Sequence, residues 1–180
     1  PGLALSLEPP EPDIMDRPPR NPDEAIIEGR DLKRMLFESA TIGLGTLGAF
    51  LYGVRRYGPG AAASTLAFNT LTLSELAHAY SSRSSHRNVF VSSSMLPNPH
   101  LNRAILGMGA LQAAVNMVPA ARRLLGTTPL GAGDLLAIAA GVALPLVVNE
   151  ATKPPLPASD ADPLRDNDTA TEKAHEEAAA

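Results

Sequence analysis

Glu75 is the residue in this sequence best placed to do chemistry. It stands well inside a long run that could span a membrane, with Thr72 three residues before it and His78 three residues after. On a helix that spacing puts the three on one face. The stripe offers oxygen ligands and one titratable imidazole. Hard cations such as calcium or sodium want several oxygens, so one carboxylate supplies only part of a shell. A carboxylate inside a membrane-length run costs about 2.5–3.5 kcal/mol on insertion scales, so it faces protein or a hydrated cavity rather than lipid. Residue type leaves two readings open. Glu75 is one ligand of a cation site completed by other helices, with Thr72 and His78 as weaker neighbours. Or it is a protonated acid hydrogen-bonded to an adjacent helix.

A second group of charges, Asp13, Asp16, Arg17 and Arg20, lies among Pro9, Pro10, Pro12, Pro18, Pro19 and Pro22. Proline lacks the N–H and clashes with the preceding turn, so an extended or polyproline II backbone is expected. Composition alone reads this stretch as a solvated linker. Other candidates are weaker. Glu38 lies about one turn inside an apolar run and can snorkel to an interface. Asp134 falls near the end of another run, where it would be solvated or paired. His86, His100 and His175 lack metal-ligand spacing and read as solvated loop histidines. Ser92, Ser93 and Ser94 form no nucleophile elbow.

The elements that must position Glu75 are long and apolar. Runs at 35–53, 61–80, 101–121 and 129–148 each approach the 20 residues a bilayer span needs. In the first, Gly45, Ala49 and Gly53 recur every four residues. In the fourth, Gly133, Ala137 and Gly141 do the same. Such ridges let helices approach closely in lipid, whereas in a soluble helix each glycine costs about 1 kcal/mol. Glu75 belongs to the second run, which also carries Asn69, Thr70, Ser74 and the flanking Thr72 and His78. Gln112 and Asn116 lie in the third, with Pro119 near its end. Pro129 is expected in the first turn of the fourth, and Pro145 is expected to kink it. The connection ending Leu96-Pro97-Asn98-Pro99 interrupts any helix.

Composition limits the function. There is no cysteine, so disulfides and thiolate metal sites are excluded. A formal net charge of −4 with no dense basic run argues against nucleic acid as a partner. No signal-peptide pattern opens the chain; its start at Pro1 suggests a piece of a longer protein. Four spans would put both ends on one side. That side collects Arg17, Arg20, Arg30, Lys33, Arg34, Arg83, Arg87, Arg103 and Lys153, against Arg55, Arg56, Arg122 and Arg123 on the other. The first side is therefore predicted to be cytoplasmic.

The order Pro-x-x-Asp-x-Met-x-x-Pro-Pro-Arg, from Pro10 to Arg20, closely resembles the cytoplasmic loop after the sixth transmembrane helix of type II P-type cation-transporting ATPases. Thr72-Leu73-Ser74-Glu75-Leu76-Ala77-His78-Ala79, followed by Ser82-Arg83-Ser84, is similar to the eighth helix of the same pumps. Leu144-Pro145-Leu146-Val147-Val148-Asn149-Glu150 is similar to the tenth. The resemblance covers about Pro1 to Lys153. It implies the seventh to tenth helices of a pump, with Glu75 where the calcium-pump branch places a cation-ligating glutamate. It also implies that Asp13, Asp16, Arg17 and Arg20 couple the membrane domain to the phosphorylation domain. The parent would use ATP and magnesium, with calcium the candidate transported cation. The family's Asp-Lys-Thr-Gly-Thr and Thr-Gly-Glu motifs are missing from this sequence, so the chain alone is expected neither to hydrolyse ATP nor to pump.

The expectation is an all-α membrane bundle of four transmembrane helices at 35–150, with an extended N-terminal loop over 1–34 and a disordered cytoplasmic tail over 151–180. Its partners would be the lipid bilayer and the remaining helices and cytoplasmic domains of the pump, in the plasma (inner) membrane with both termini cytoplasmic. The rival reading is a non-catalytic four-helix membrane protein acting as an assembly or regulatory partner. A soluble bundle is disfavoured by the glycine ridges.

Overall fold

The apolar runs become helices whose ends are set by local chemistry. A computed structural model describes residues 1–11, 14–16, 25, 27–90 and 95–154. The helices are α1 (Gly2–Leu5), α2 (Gly29–Tyr57), α3 (Ala61–Ser81), α4 (Pro99–Met117), α5 (Pro119–Leu125) and α6 (Ala132–Ala151). No strand occurs among the described residues. Glu28 N–H donates to Asp31 Oδ2 at 2.9 Å and opens α2, so that the helix starts upstream of the apolar run at 35–53 and is 29 residues long. Gly58, at φ 80°, closes it. Asn98 opens α4 by accepting from the Leu101 N–H at 2.8 Å, with Pro99 at the first helical position.

Three expectations change. The third run does not continue to residue 121. α4 ends at Met117 and α5 leaves it at 90°. The proline is the cause: Pro119 donates no N–H, and Val118 before it is extended (φ −83°, ψ 118°). The fourth helix begins at Ala132, beyond Pro129. Asp134 Oδ2 accepts from the Gly131 N–H at 2.8 Å and fixes the start there. The N-terminal loop is not wholly extended, since a 3-10 turn at Ile14–Asp16 lies within it, while the apolar start of the chain, which could be a frayed helix end from the sequence, forms α1. Asp13, Arg17, Arg20 and the tail from 155 onward lie outside the described residues.

α2 and α6 are long and apolar enough to cross a membrane, and the bent pair α4–α5 makes a third candidate. α3 has 21 residues but stays outside that set because of its polar side chains. α2, α3 and α6 pack against one another, α4 packs on α3, and α5 packs on α4. Their closest approach is where the small residues are. A Cβ on Gly45 would lie 2.8 Å from Pro145 Cγ, and one on Gly53 would lie 2.7 Å from Ala63 Cα. A Cβ on Gly141 would meet Thr70 Cγ2 at 2.8 Å. Pro145 sits inside α6 and removes the N–H that would pair with the Gly141 carbonyl, the oxygen lying against Gly45.

Many polar side chains are buried beside the apolar ones, and many large apolar side chains are exposed. Thr65, Asn69, Thr70, Ser74, Gln112, Asn149 and Glu150 are buried. Leu44, Leu106, Leu136, Leu144 and Val147 are all more than 60% exposed. A water-soluble bundle reverses that arrangement. A bundle in lipid can leave leucines outside and join its helices through small and amide side chains.

Candidate functional site

α3 is asymmetric around its axis. Ala61, Ser64, Phe68, Leu71 and Glu75 lie on one side at a three- and four-residue spacing, and that side is largely open, while Thr65, Leu66, Asn69, Thr70 and Ser74 are buried. One stripe of the helix is thus left bare by the rest of the chain, and Glu75 lies on it. Among the described residues Glu75 makes no hydrogen bond or ion pair.

Thr72 and His78 do not converge on Glu75 through any hydrogen bond or ion pair. Thr72 Oγ1 donates to the Phe68 carbonyl one turn back, at 2.9 Å. His78 turns toward α2, with Nε2 3.8 Å from Glu38 Oε2. Its Nδ1 and the Ser74 hydroxyl are buried without partners. Both residues line a cavity of about 10 Å³ between α2, α3 and α6, roughly the size needed for one water. No group of three or more His, Cys, Asp or Glu side chains able to hold a metal occurs among the described residues.

Glu38 is held by more than an interface. Arg34 Nε donates to it at 2.5 Å, and the same guanidinium donates to the carbonyls of Asn149 (2.7 Å) and Thr152 (2.8 Å). Arg34 thus caps the C-terminus of α6 with a positive charge, where the orphan carbonyls favour one. Asp134 is buried and accepts from Tyr57 Oη at 2.9 Å, tying the start of α6 to the end of α2.

Two clusters escaped the sequence reading. Asn69 Oδ1 accepts from Gln112 Nε2 (2.9 Å) and Asn116 Nδ2 (2.6 Å), which joins α3 to α4. The amides at 69, 112 and 116 were visible in the sequence inside long apolar runs, and their capacity to pair with one another was the signal available. Glu150 is buried among Ser81 Oγ, the Val89 N–H (3.0 Å) and Lys153 Nζ (2.6 Å). Lys153 also donates to the carbonyls of Ser81 and Arg87.

The described part of the proline-rich segment is docked rather than free. Glu8 accepts from Arg83 Nε at 2.8 Å and from Asn98 Nδ2 at 2.6 Å, and Glu11 accepts from Ser84 Oγ at 2.6 Å. The Glu8 hydrogen bond raises the Arg83 pKa above the ordinary guanidinium value. Asp16 closes the 3-10 turn.

The chain matches the family model "Cation transporting ATPase, C-terminus" over residues 1–154. It is 28% identical over 169 residues to "Calcium-transporting ATPase 1" of Bacillus cereus, covering 85% of this chain and 19% of that protein. It is 31% identical over 146 residues to "Calcium-transporting ATPase" of Bacillus subtilis, covering 81% of this chain and 16% of that protein. The chain therefore spans less than a fifth of these relatives' length. Outward-facing leucines, membrane-length helices and this match agree, and the chain belongs to the family of membrane-integral C-terminal domains of cation-transporting ATPases.

Proposed function

We propose that the chain is the buttress of an ATP-driven cation pump and supplies one cation ligand, Glu75. The observation that carries this reading is the bare stripe of α3. A carboxylate on an uncovered face of a membrane helix cannot be left to lipid, because its charge would be desolvated without a partner. Glu75 makes no bond among the described residues, so what covers it comes from other helices. An oxygen ligand presented outward suits a hard cation shared among several helices.

In this reading α3 and α4 are spans as well, giving four with both ends on the cytoplasmic side of the plasma membrane. The amides of α3 are satisfied against α4, which lowers the penalty that its polar composition would otherwise impose. The ATP- and magnesium-dependent chemistry belongs to domains of the full-length protein, and calcium is the cation suggested by the names of the relatives. Asp13, Asp16, Arg17 and Arg20 transmit between those domains and the bundle. Glu8 and Glu11, bonded to Arg83, Asn98 and Ser84, hold the base of that loop against the α3–α4 connection.

The test is Glu75→Gln in the full-length protein, with phosphorylation from ATP measured against calcium concentration. Neutralising a charged oxygen ligand should weaken the apparent calcium affinity roughly tenfold or more. An unchanged calcium dependence would remove Glu75 from the cation path and leave it a hydrogen-bonded acid.

A further inference from the structure

α5 has a feature that cation transport does not explain. It is a short amphipathic helix lying across the end of a span. α4 has 19 residues, about 28 Å of helix, which matches the hydrocarbon thickness of a bilayer. With α4 crossing the bilayer, the 90° bend at Val118–Pro119 would lay α5 along the membrane surface. Its residues sort by face at 100° per position. Arg122 and Arg123 fall on one arc, and Ala120, Ala121, Leu124 and Leu125 flank it. Leu124 is 84% exposed and Leu125 is 52% exposed. Neither arginine has an acidic partner among the described residues.

The arginines line a groove of about 400 Å³ between α5 and the turn that follows it. That turn is built rather than loose. Gly126 takes a left-handed conformation at φ 66°, and Thr127 N–H donates back to the Arg122 carbonyl at 3.0 Å. Thr128 N–H donates to Thr65 Oγ1 on α3 at 3.0 Å. Thr127, which also lines the groove, has a buried hydroxyl with no partner among the described residues. Two guanidinium groups without acidic partners among the described residues, set beside exposed leucines, match an anionic headgroup with its acyl chains below.

We propose that the α5 groove is a binding site for one anionic phospholipid, whose phosphodiester is held by Arg122 and Arg123. The arginines fix the headgroup and Leu124 sits among the acyl chains. The lipid thereby braces the bend between α4 and the loop leading to α6. This site does not depend on which cation is transported or on Glu75.

The chain has no tryptophan, so Leu124→Trp supplies a single fluorophore at the site. The full-length Leu124→Trp protein would be reconstituted in vesicles mixing phosphatidylcholine and phosphatidylglycerol, with any tryptophans elsewhere in it replaced by phenylalanine. Quenching would be compared with bromine on one lipid and then on the other. The expected result is a preference for phosphatidylglycerol of roughly tenfold, falling to about one in the Arg122→Gln/Arg123→Gln background. Arg122→Lys/Arg123→Lys should restore part of it, and inorganic phosphate should not compete. Equal quenching by the two lipids, or a preference that survives the double glutamine change, would overturn the proposal. So would the absence of quenching in a folded Leu124→Trp protein, which would remove α5 from the lipid. If the double glutamine protein does not fold, Arg122→Gln and Arg123→Gln taken singly decide: each must lower the preference.

Discussion

Glu150 and Glu75 are both carboxylates on helices of the bundle, and the chain treats them oppositely. Glu150, at the C-terminal end of α6, is buried with a hydroxyl, a backbone N–H and an ammonium group around it. Glu75, within α3, is exposed and has no partner among the described residues. The first is complete without anything outside the chain. The second has none of these, and under the proposal that α3 is a span, exposure of its charge to lipid would be untenable. The difference separates two roles for the same side chain. One locks the bundle to the connection after α3, and the other is left open on the bare face of α3. Glu38 falls between them, with one guanidinium partner, an imidazole at 3.8 Å and a side chain 19% exposed.

This ordering should be visible in stability. Glu150→Ala in the 180-residue chain removes a buried anion, leaves Ser81 Oγ and the Val89 N–H without their acceptor, and leaves Lys153 Nζ without its counter-charge, held only by the carbonyls of Ser81 and Arg87. The expected loss is about 3–5 kcal/mol, the range for breaking a buried pair from one side, read by thermal unfolding in detergent. A loss below about 1 kcal/mol would mean that the loop around Val89 is not held by Glu150. Glu38→Gln should cost less, about 1 kcal/mol. The amide can still accept from Arg34, and Arg34 keeps its bonds to the Asn149 and Thr152 carbonyls. If Glu38→Gln matched Glu150→Ala, the gradient from enclosed to open carboxylate would fail.

The sequence carried the helix contacts better than it carried the polar clusters. Gly45, Ala49 and Gly53 were legible because their spacing is local, and all three are buried on α2. Glu150 was not legible as a structural knot, because its partners depend on how the chain returns. Ser81 is 69 residues away and Val89 is 61 residues away. The break at Val118 had a local signal, Pro119, but a proline near the end of a run can kink, terminate or merely begin the next helix. Only tertiary placement chooses the 90° turn. The stripe of Thr72, Glu75 and His78 shows the limit of spacing arguments. Three-residue steps accumulate about 60° of rotation each, which is enough to send His78 toward Glu38 while Glu75 stays on the bare face.

The smallest expected change is the most informative about Glu75. In the 180-residue chain Glu75→Gln should alter stability by no more than about 0.5 kcal/mol, since no bond is lost. The two side chains are nearly equal in volume, and the exposed stripe leaves room for either. A loss of about 2 kcal/mol or more would show that the carboxyl is hydrogen-bonded within the bundle. That result would move Glu75 into the same class as Glu150. A silent change in the chain, together with weakened calcium dependence in the full-length protein, would instead assign the carboxylate's interactions to the helices that cover α3.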